Sequence, residues 1–328
     1  MKEFKSGMSP PPPKTDDKAP ESLEDTQTVV LGKILDGVGA ESLYEAIHQS
    51  EFASGDKVWA GTYRGIGYKN NEDRAIISRG ASFAGVVDGV GGIKDGELAA
   101  RILAGSLASI PENVPYAFSL AQKTMFDKNT KGKAVFASAQ VVDRRKEGLR
   151  KSLKMFRVGD AKIFVFKKDG RKVFESEDQS PVQEMVDSGD ITLDESYYNL
   201  RRNEVSKAVS AIITSDPETH VDYPEELPER EVEPGDMVLL MSDGISDNFT
   251  AEEIEEKIKE GLSGSELFFW LSEATDKRMK YAREIARMTP REQEALIVYR
   301  KKNGVFPDGY KTMPKEDNQT LVIMEIKQ

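Results

Sequence analysis

Four apolar segments of this chain meet a turn at an aspartate, and this pattern constrains the fold more than any other feature. Asp88 and Asp243 end the runs FAGVVDG and MVLLMSDG, Asp317 opens DNQTLVIMEI, and Asp73 follows Glu72 in NNEDR. A strand that ends in Asp-Gly places a carboxylate at the rim of a sheet, where glycine lets backbone and metal approach closely. Carboxylates are ligands that Mg²⁺ and Mn²⁺ prefer. The pattern therefore predicts short strands whose acidic ends gather around a metal.

The composition narrows the chemistry to carboxylates. The 328 residues contain no cysteine and two histidines. A thiolate nucleophile is therefore excluded, and so are zinc sites of the usual cysteine and histidine type. The formal net charge of -11 argues against nucleic acid or an anionic membrane as a partner, since both bind clustered lysine and arginine. Because no apolar run is long enough to cross a membrane and the chain begins with no signal peptide, we expect a cytoplasmic protein.

The order of the segments predicts one large domain with an N-terminal extension. Residues 1–26 are rich in proline, aspartate and lysine and indicate a disordered arm, whose PPPP run at 10–13 is either a solvated tail or a polyproline II segment for a partner. Residues 27–56 are expected to dock on the main domain as a helix or a strand. Residues 57–328 form hairpins and helical blocks without regular strand-helix alternation, which favours antiparallel sheets in an α+β fold.

Six motifs of the main domain resemble, in their order, those of the metal-dependent type 2C (PPM family) serine/threonine protein phosphatases. They are GYKNNEDR, GVVDGVGG, FRVGDAKIFVF, EDQSPVQEMVDSGDIT, VEPGDMVLLMSDGISDNFT and EDNQT. The resemblance covers residues from about 57 to 326. It implies a layered α-β-β-α sandwich, in which helices flank two antiparallel β-sheets and a dinuclear metal site lies at one end.

The resemblance also implies a set of site residues. The metal ligands that it implies are Glu72, Asp73, Asp88, Gly89, Asp160, Asp243 and Asp317. Glu72 would act through metal-bound water, Gly89 through its backbone carbonyl, and Asp160 at a third, weaker ion found in some members. The four strand-end aspartates are also the expected catalytic residues, because the two Mn²⁺ or Mg²⁺ ions that they hold share a bridging hydroxide that attacks phosphorus.

Three positions depart from the family pattern. Many members carry an arginine four positions before the glutamate of the first motif, where it binds the substrate phosphate, whereas this chain has Tyr68. Lys69 and Arg64 are therefore the candidate phosphate-binding residues. Val90 stands where some relatives carry a histidine that is the proposed general acid. Gln179 replaces another histidine that relatives usually have.

The predicted function is metal-dependent hydrolysis of phosphoserine and phosphothreonine in proteins. The alternative is a catalytically weak pseudophosphatase, a regulatory module that binds a protein partner. The replacements at Tyr68 and Val90 motivate it, together with a helical insertion described below. A phosphatase for a non-protein phosphate ester is a third interpretation. A phosphorylated protein is thus the expected partner, and the family suggests a monomer.

A helical block before the last strand is long for the family. Thr250 and Glu253 have the spacing of a capping box, which predicts that a helix begins there. The part at about 262–305 is expected to be a helical elaboration, in which the aromatic residues 268–270 pack inward or form a surface for a partner. This elaboration and the proline-rich arm are the two candidate sites for a partner.

Overall fold

Two six-stranded antiparallel sheets lie face to face at the centre of the molecule. The computed structural model describes residues 33–328, apart from 38, 39, 41, 44, 45, 66, 67, 93 and 212–222. The arm predicted at 1–26, with its PPPP run, lies outside the described residues.

The strands follow the glycine-punctuated apolar runs of the sequence. In chain order they are β1 (Lys33–Leu35), β2 (His48–Glu51), β3 (Lys57–Tyr63), β4 (Arg74–Ser78), β5 (Phe83–Gly89), β6 (Ala134–Asp143), β7 (Lys151–Val158), β8 (Lys162–Phe166), β9 (Lys172–Glu175), β10 (Glu225–Glu231), β11 (Met237–Met241) and β12 (Gln319–Glu325). The first sheet has the order β1-β4-β5-β6-β7-β10, and the second has the order β2-β3-β12-β11-β8-β9. All of these neighbours pair antiparallel.

Strand β11 shows how the sandwich is packed. Val238 and Leu240 lie between the two sheets, in the same core as Val86 of β5. Leu239 and Met241 point the other way, into the core beneath the helices. All five side chains of the strand are buried, and burial of a side chain of this size stabilises a fold by about 1.5–3 kcal/mol. This burial on both faces explains why MVLLM lacks the alternation of a half-exposed strand.

Helices cover the outer face of each sheet. They are α1 (Gly96–Ser109), α2 (Val114–Asp127), α3 (Pro181–Asp187), α4 (Leu193–Ser196), α5 (Asp243–Ser246), α6 (Ala251–Lys259), α7 (Gly264–Ala286) and α8 (Pro290–Asn303). Helices α1 and α2 pack on the first sheet, whereas α5, α6 and α7 pack on the second. The predicted α+β sandwich of two antiparallel sheets flanked by helices is thus confirmed.

The capping box predicted before α6 is formed. Thr250 Oγ1 accepts a hydrogen bond from the backbone N–H of Glu253 at 3.4 Å, and Glu253 Oε2 accepts one from the backbone N–H of Thr250 at 2.8 Å. The other oxygen of Glu253 accepts from Arg278 Nη2 at 2.7 Å. Arg278 lies on α7 and is nearly buried. The cap therefore fixes the start of α6 and also ties it to α7.

The predicted helical elaboration consists of α7 and α8. Phe268 is fully buried against the second sheet, whereas Phe269 and Trp270 are half-buried. Arg300 of α8 is also buried, and its guanidinium pairs with Asp194 of α4, with 2.6 Å between Nη2 and Oδ1. These contacts attach both helices to the sandwich.

The residues predicted at 27–56 contribute two edge strands where they are described. β1 pairs with β4, and β2 pairs with β3. The domain boundaries at 26 and 56 stay predictions. Among the described residues, no helix combines the length and the apolar character needed to cross a membrane.

Candidate metal centre

An acidic cleft of about 370 Å³ opens at one end of the two sheets. Its acidic lining residues are Glu72, Asp88, Asp160, Asp243, Glu316 and Asp317. Asp73 lies behind them with only 1% of its surface exposed, close enough to Asp317 and Asp243 for their charges to act on it. The structure thus brings together all the acidic residues that the sequence predicts.

Both sheets supply these carboxylates. Asp88 is the penultimate residue of β5, and Asp73 directly precedes β4 in the same sheet. Asp243 is the first residue of α5, immediately beyond β11, and Asp317 lies two residues before β12 in the second sheet. Asp160 lies in the short link from β7 to β8, which passes from one sheet to the other. The cleft is therefore the place where the ends of the two sheets meet.

Asn318 fastens the two halves of the cleft to each other. Its side-chain Nδ2 donates to the backbone oxygen of Arg64 at 2.7 Å, and its Oδ1 accepts from the backbone N–H of Glu72 at 2.7 Å. A Cβ atom on Gly244 would lie 1.8 Å from the backbone oxygen of Asn318, so only glycine fits beside it. Sequence analysis missed this residue, although its place in the EDNQT motif was a signal.

Asp73 is held by one oxygen only. Thr320 Oγ1 donates to Asp73 Oδ2 at 2.9 Å, and Thr62 Oγ1 lies 2.6 Å from Thr320 Oγ1. Asp73 Oδ1 is buried and has no hydrogen-bond partner among the described residues. Burial, with the charge of Asp317, raises the pKa of Asp73 to about 7.

Burial and neighbouring negative charges also raise the pKa values of four other carboxyl groups in the cleft. Withdrawal from water and the neighbouring aspartates raise the pKa values of Asp88 and Asp160 well above their ordinary range. The same causes, with Asp243 as the main neighbour, raise the pKa of Asp317 to about 6. Burial, with the charge of Glu97, also raises the pKa of Glu72. Like charges gathered at low dielectric disfavour one another, so the set needs cations or protons at neutral pH.

Among the described residues that line the cleft, Lys315 is the basic one. Lys315 Nζ forms an ion pair with Asp243 and lies 3.2 Å from Asp317 Oδ2 and 3.5 Å from Asp247 Oδ2. Burial lowers the pKa of Lys315, but these carboxylates raise it by more, so that it stands well above its ordinary value. Sequence analysis did not identify this lysine, which comes two residues before the closing Asp-Asn.

Arg64 and Lys69, the predicted phosphate-binding residues, do not line the acidic cleft. They line a neighbouring cleft of about 710 Å³ together with Arg74 and Arg101. Arg64 Nη1 donates to the backbone oxygen of Lys69 at 3.4 Å. The structure therefore places these two side chains in a different cleft from the carboxylates.

Tyr68 and Gln179, two of the departures from the family pattern, have structural partners. The hydroxyl of Tyr68 donates to the backbone oxygen of Glu316 at 3.0 Å. Gln179 Oε1 accepts from the backbone N–H of Gly159 at 2.8 Å, and its Nε2 donates to Glu225 at 2.9 Å. Gln179 therefore fixes the turn that directly precedes Asp160.

The donor set fits hard divalent cations, although its spacing is not that of a metal-loaded site. No three acidic or histidine side chains among the residues described converge in the geometry of a metal-binding group. However, Asp73 Oδ1 and Asp243 Oδ1 are both buried without a hydrogen-bond partner in that part of the chain. A buried carboxylate oxygen without a partner is costly, and a divalent cation would satisfy it. Repulsion among the carboxylates and the ion pairs of Lys315 both influence the distances between these oxygens.

A comparison of the sequence with known proteins finds a relative among the bacterial phosphatases. No protein-family model matches the chain. The chain is 28% identical over 206 residues to the serine/threonine protein phosphatase PstP of Mycobacterium tuberculosis. The match covers 60% of this chain and 37% of the relative, so the chain spans well under half of the relative's length.

Solved structures share the sandwich. The crystal structure of PstP from M. tuberculosis superposes with a TM-score of 0.59 at 20% identity and covers 83% of this chain and 98% of its own. The PstP catalytic domain in complex with two manganese ions gives 0.58 at 20% identity, with the same coverage. The phosphatase Stp1 from Staphylococcus aureus gives 0.60 at 19% identity and covers 86% and 99%. Over part of its length the chain is therefore similar in sequence to the serine/threonine phosphatase PstP, and it shares the fold of the phosphatases PstP and Stp1.

Proposed function

We propose that this chain hydrolyses phosphoserine and phosphothreonine in proteins with the help of two divalent ions, Mn²⁺ or Mg²⁺. The observation that carries the proposal is the meeting of Asp73 and Asp88 from one sheet with Asp243 and Asp317 from the other. Two of their carboxylate oxygens are buried and have no hydrogen-bond partner among the residues that the structure describes. Donor sets made of oxygen alone suit hard divalent cations. The manganese-bound PstP domain supports the same assignment.

The proposed ligands are those that the sequence predicts. Asp73, Asp88, Asp243 and Asp317 would hold the two ions, Gly89 would offer its backbone carbonyl, Glu72 would hold metal-bound water, and Asp160 would serve a third ion. When bound, such ions acidify a water molecule and neutralise charge on phosphoryl oxygens, which is the chemistry that phosphate-ester hydrolysis requires.

The chain's own groups orient this donor set. Asn318 holds the backbone of Glu72 against that of Arg64. Thr320 fixes one oxygen of Asp73, and the other is buried with no hydrogen-bond partner among the described residues. Such partners fix a ligand's orientation and protonation, and their loss in other metal sites costs about 10–100-fold in metal affinity or activity.

The rim of the cleft favours a protein substrate over a small molecule. Gly91 and Gly92, which line the cleft, are exposed, and 40% of the surface of Tyr68 is exposed. An open rim of this kind admits an extended peptide segment, whereas sites for small ligands bury most of the ligand's surface.

The alternative, a pseudophosphatase that binds a protein partner, is weaker. Tyr68 and Val90 still motivate it, because each replaces a residue that many relatives use. Tyr68 is nevertheless hydrogen-bonded into the wall of the cleft, and all the acidic residues are retained, which a module that only binds a partner would not need.

The experiment that tests the proposal is hydrolysis of p-nitrophenyl phosphate and of a phosphothreonine peptide at neutral pH. Each substrate is tested with Mn²⁺, with Mg²⁺ and with EDTA. We expect release of phosphate that depends on the metal and stops with EDTA. Folded protein that releases no phosphate with either metal would support the pseudophosphatase instead. The same assay determines which of the two metals is preferred.

The remaining proposals follow from the sequence. A cytoplasmic location, a monomeric state and partner binding at the helical elaboration or the proline-rich arm stay predictions. The assignment of Arg64 and Lys69 to substrate phosphate also stays a prediction. From their own cleft, these two side chains are better placed for the parts of a substrate that flank the phosphorylated residue.

A further inference from the structure

We propose that Lys315 is the phosphate-binding cation of the acidic cleft. This inference rests on the proposed phosphatase function and deepens it. Among the described residues that line the cleft, Lys315 is the one basic side chain. A phosphoryl dianion that enters a cleft with six acidic residues needs such a cation, and an ammonium group offers it three hydrogen-bond donors.

The backbone of Lys315 is fixed on both sides by one buried residue. Asn248 Oδ1 accepts from the backbone N–H of Lys315 at 2.9 Å, and Asn248 Nδ2 donates to the backbone oxygen of Lys315 at 3.0 Å. Asn248 is fully buried and belongs to the same SDGISDN segment as Asp243. The amide therefore holds Lys315 so that its side chain extends over Asp243 and Asp317.

The residue after Lys315 is held as well. The backbone oxygen of Glu316 accepts from the hydroxyl of Tyr68 at 3.0 Å, and Glu316 Oε1 accepts from Arg283 Nε at 2.7 Å. Tyr68 occupies the position at which many relatives carry the phosphate-binding arginine. In this chain the side chain at that position anchors the segment that carries Lys315, and the positive charge comes from that segment, just before β12.

Two of the carboxylates that pair with Lys315, those of Asp243 and Asp317, are also proposed metal ligands, and this suggests how its ammonium group is released to bind a phosphoryl group. Its ammonium is shared among Asp243, Asp247 and Asp317. Divalent ions would compete with the ammonium for Asp243 and Asp317, so metal binding would weaken these ion pairs. A phosphoryl group in the cleft would then offer Lys315 Nζ a doubly charged acceptor.

The test compares four variants of the full chain loaded with Mn²⁺. Lys315→Met removes the charge, Lys315→Arg keeps it, Lys69→Met tests the rival cation, and Lys123→Met is the control, since Lys123 is exposed on α2 and paired with Asp127. The measurements are kcat and KM for a phosphothreonine peptide, direct binding of inorganic phosphate by calorimetry, binding of Mn²⁺, and thermal unfolding.

For Lys315→Met we expect KM and the phosphate dissociation constant to rise on the order of 10–100-fold, the usual effect of losing a charged hydrogen bond. Lys315→Arg should retain most of the phosphate affinity, and Lys123→Met should match the wild type. Unchanged phosphate binding in Lys315→Met, or tighter Mn²⁺ binding as its only change, would overturn the proposal. A larger loss in Lys69→Met than in Lys315→Met would do the same.

This experiment distinguishes the phosphatase function of the chain from the phosphate-binding role of Lys315. A wild-type protein that binds phosphate through Lys315 but releases none from the peptide would refute the phosphatase function and leave the cation assignment intact. If Lys315→Met unfolds, Lys315→Gln takes its place, because it removes the charge but keeps a polar end on the side chain. Phosphate affinity and KM in Lys315→Gln that equal those of the wild type would then overturn the proposal.

Discussion

Arg283 Nη2 lies 2.6 Å from Glu316 Oε1, so that helix α7 is tied to the segment that supplies Lys315 and Asp317. About a third of the arginine side chain and a fifth of the glutamate side chain are exposed. A pair this accessible adds little to stability, typically about 0–1 kcal/mol. The pair is instead expected to fix the position of the neighbouring residues Lys315 and Asp317. Helix α7 would thereby influence the geometry of the acidic cleft.

Arg283→Met should therefore weaken function more than folding. We expect KM for a phosphopeptide to rise several-fold while the free energy of unfolding changes by less than about 1 kcal/mol. Arg287→Met, one turn further along, is the matched control, since Arg287 is exposed and has no ion pair among the residues described. Steady-state kinetics and urea unfolding measure the two effects. Equal KM values in Arg283→Met and Arg287→Met would show that the helical elaboration does not influence the cleft.

Removing a single carboxylate should separate catalysis from folding. Asp88→Asn and Asp243→Asn are each expected to lower metal-dependent turnover by on the order of 100-fold or more, since changes in residues that only orient metal ligands cost about 10–100-fold. In the absence of metal, Asp88→Asn should be at least as stable as the wild type at neutral pH, because a carboxyl group in a repelling cluster becomes a neutral amide. Asp243→Asn should be less stable than Asp88→Asn, because it also loses the ion pair with Lys315. Turnover assays and thermal unfolding in EDTA check both results. Full activity in both variants would contradict the ligand assignment.

The stabilising effect of Mn²⁺ should increase with pH. Asp73 and Asp317 have pKa values raised to about 7 and about 6, whereas an unfolded aspartate titrates near about 3.9. The metal-free native state thus holds more protons than the unfolded state in this window, so the contribution of these groups to stability is present at low pH and is lost as the pH rises through about 6 to 7. Mn²⁺ replaces those protons.

Thermal unfolding with and without Mn²⁺ measures this effect. At about pH 7.5, a metal concentration about 100-fold above Kd should add about 2.7 kcal/mol, and at about pH 5.5 the same concentration should add less. Asp88→Asn, with one ligand fewer, should reduce the gain at the higher pH. Equal gains at the two pH values would contradict the assignment of the raised pKa values to metal-binding groups.

Gly244→Ala should displace Asn318 and thereby lower both stability and activity. The new Cβ would lie 1.8 Å from the backbone oxygen of Asn318, so the start of β12 has to move, at an expected cost of about 1–3 kcal/mol. Activity should fall too, because Asn318 positions Glu72. Gly105→Ala is the control: a Cβ in that part of α1 meets nothing within 4 Å, and the change should stabilise the protein by about 0.5–1 kcal/mol. Stability and turnover that equal those of the wild type in Gly244→Ala would contradict this account of the turn.

The sequence was enough to predict the sandwich and the gathering of the aspartates, because both depend on local signals. An apolar run before Asp88-Gly or Asp243-Gly predicts a strand and an aspartate at its end or just beyond it. The order of the motifs is the basis of the family resemblance, which implied two antiparallel sheets flanked by helices. The described fold confirms that architecture. The assignment of individual metal ligands stays a prediction.

The partners of those aspartates could not be read from the sequence, because their contacts join distant segments. Asn318 meets Glu72 across 246 positions of the chain, and Asn248 meets Lys315 across 67. A lysine two residues before Asp317 has the appearance of an ordinary surface charge until the fold turns it inward. Lys69 was the nearer candidate by sequence, but the backbone directs it to another cleft.

The position of the acidic cleft at the seam of the two sheets has a mechanical consequence. Asp73 and Asp88 are supplied by one sheet, and Asp243 and Asp317 by the other. An ion shared between the two pairs would therefore cross-link the two sheets reversibly. Depletion of metal would then loosen this end of the molecule as well as stop the reaction. In a cell, the supply of the ion would thereby influence how long the folded chain survives proteolysis.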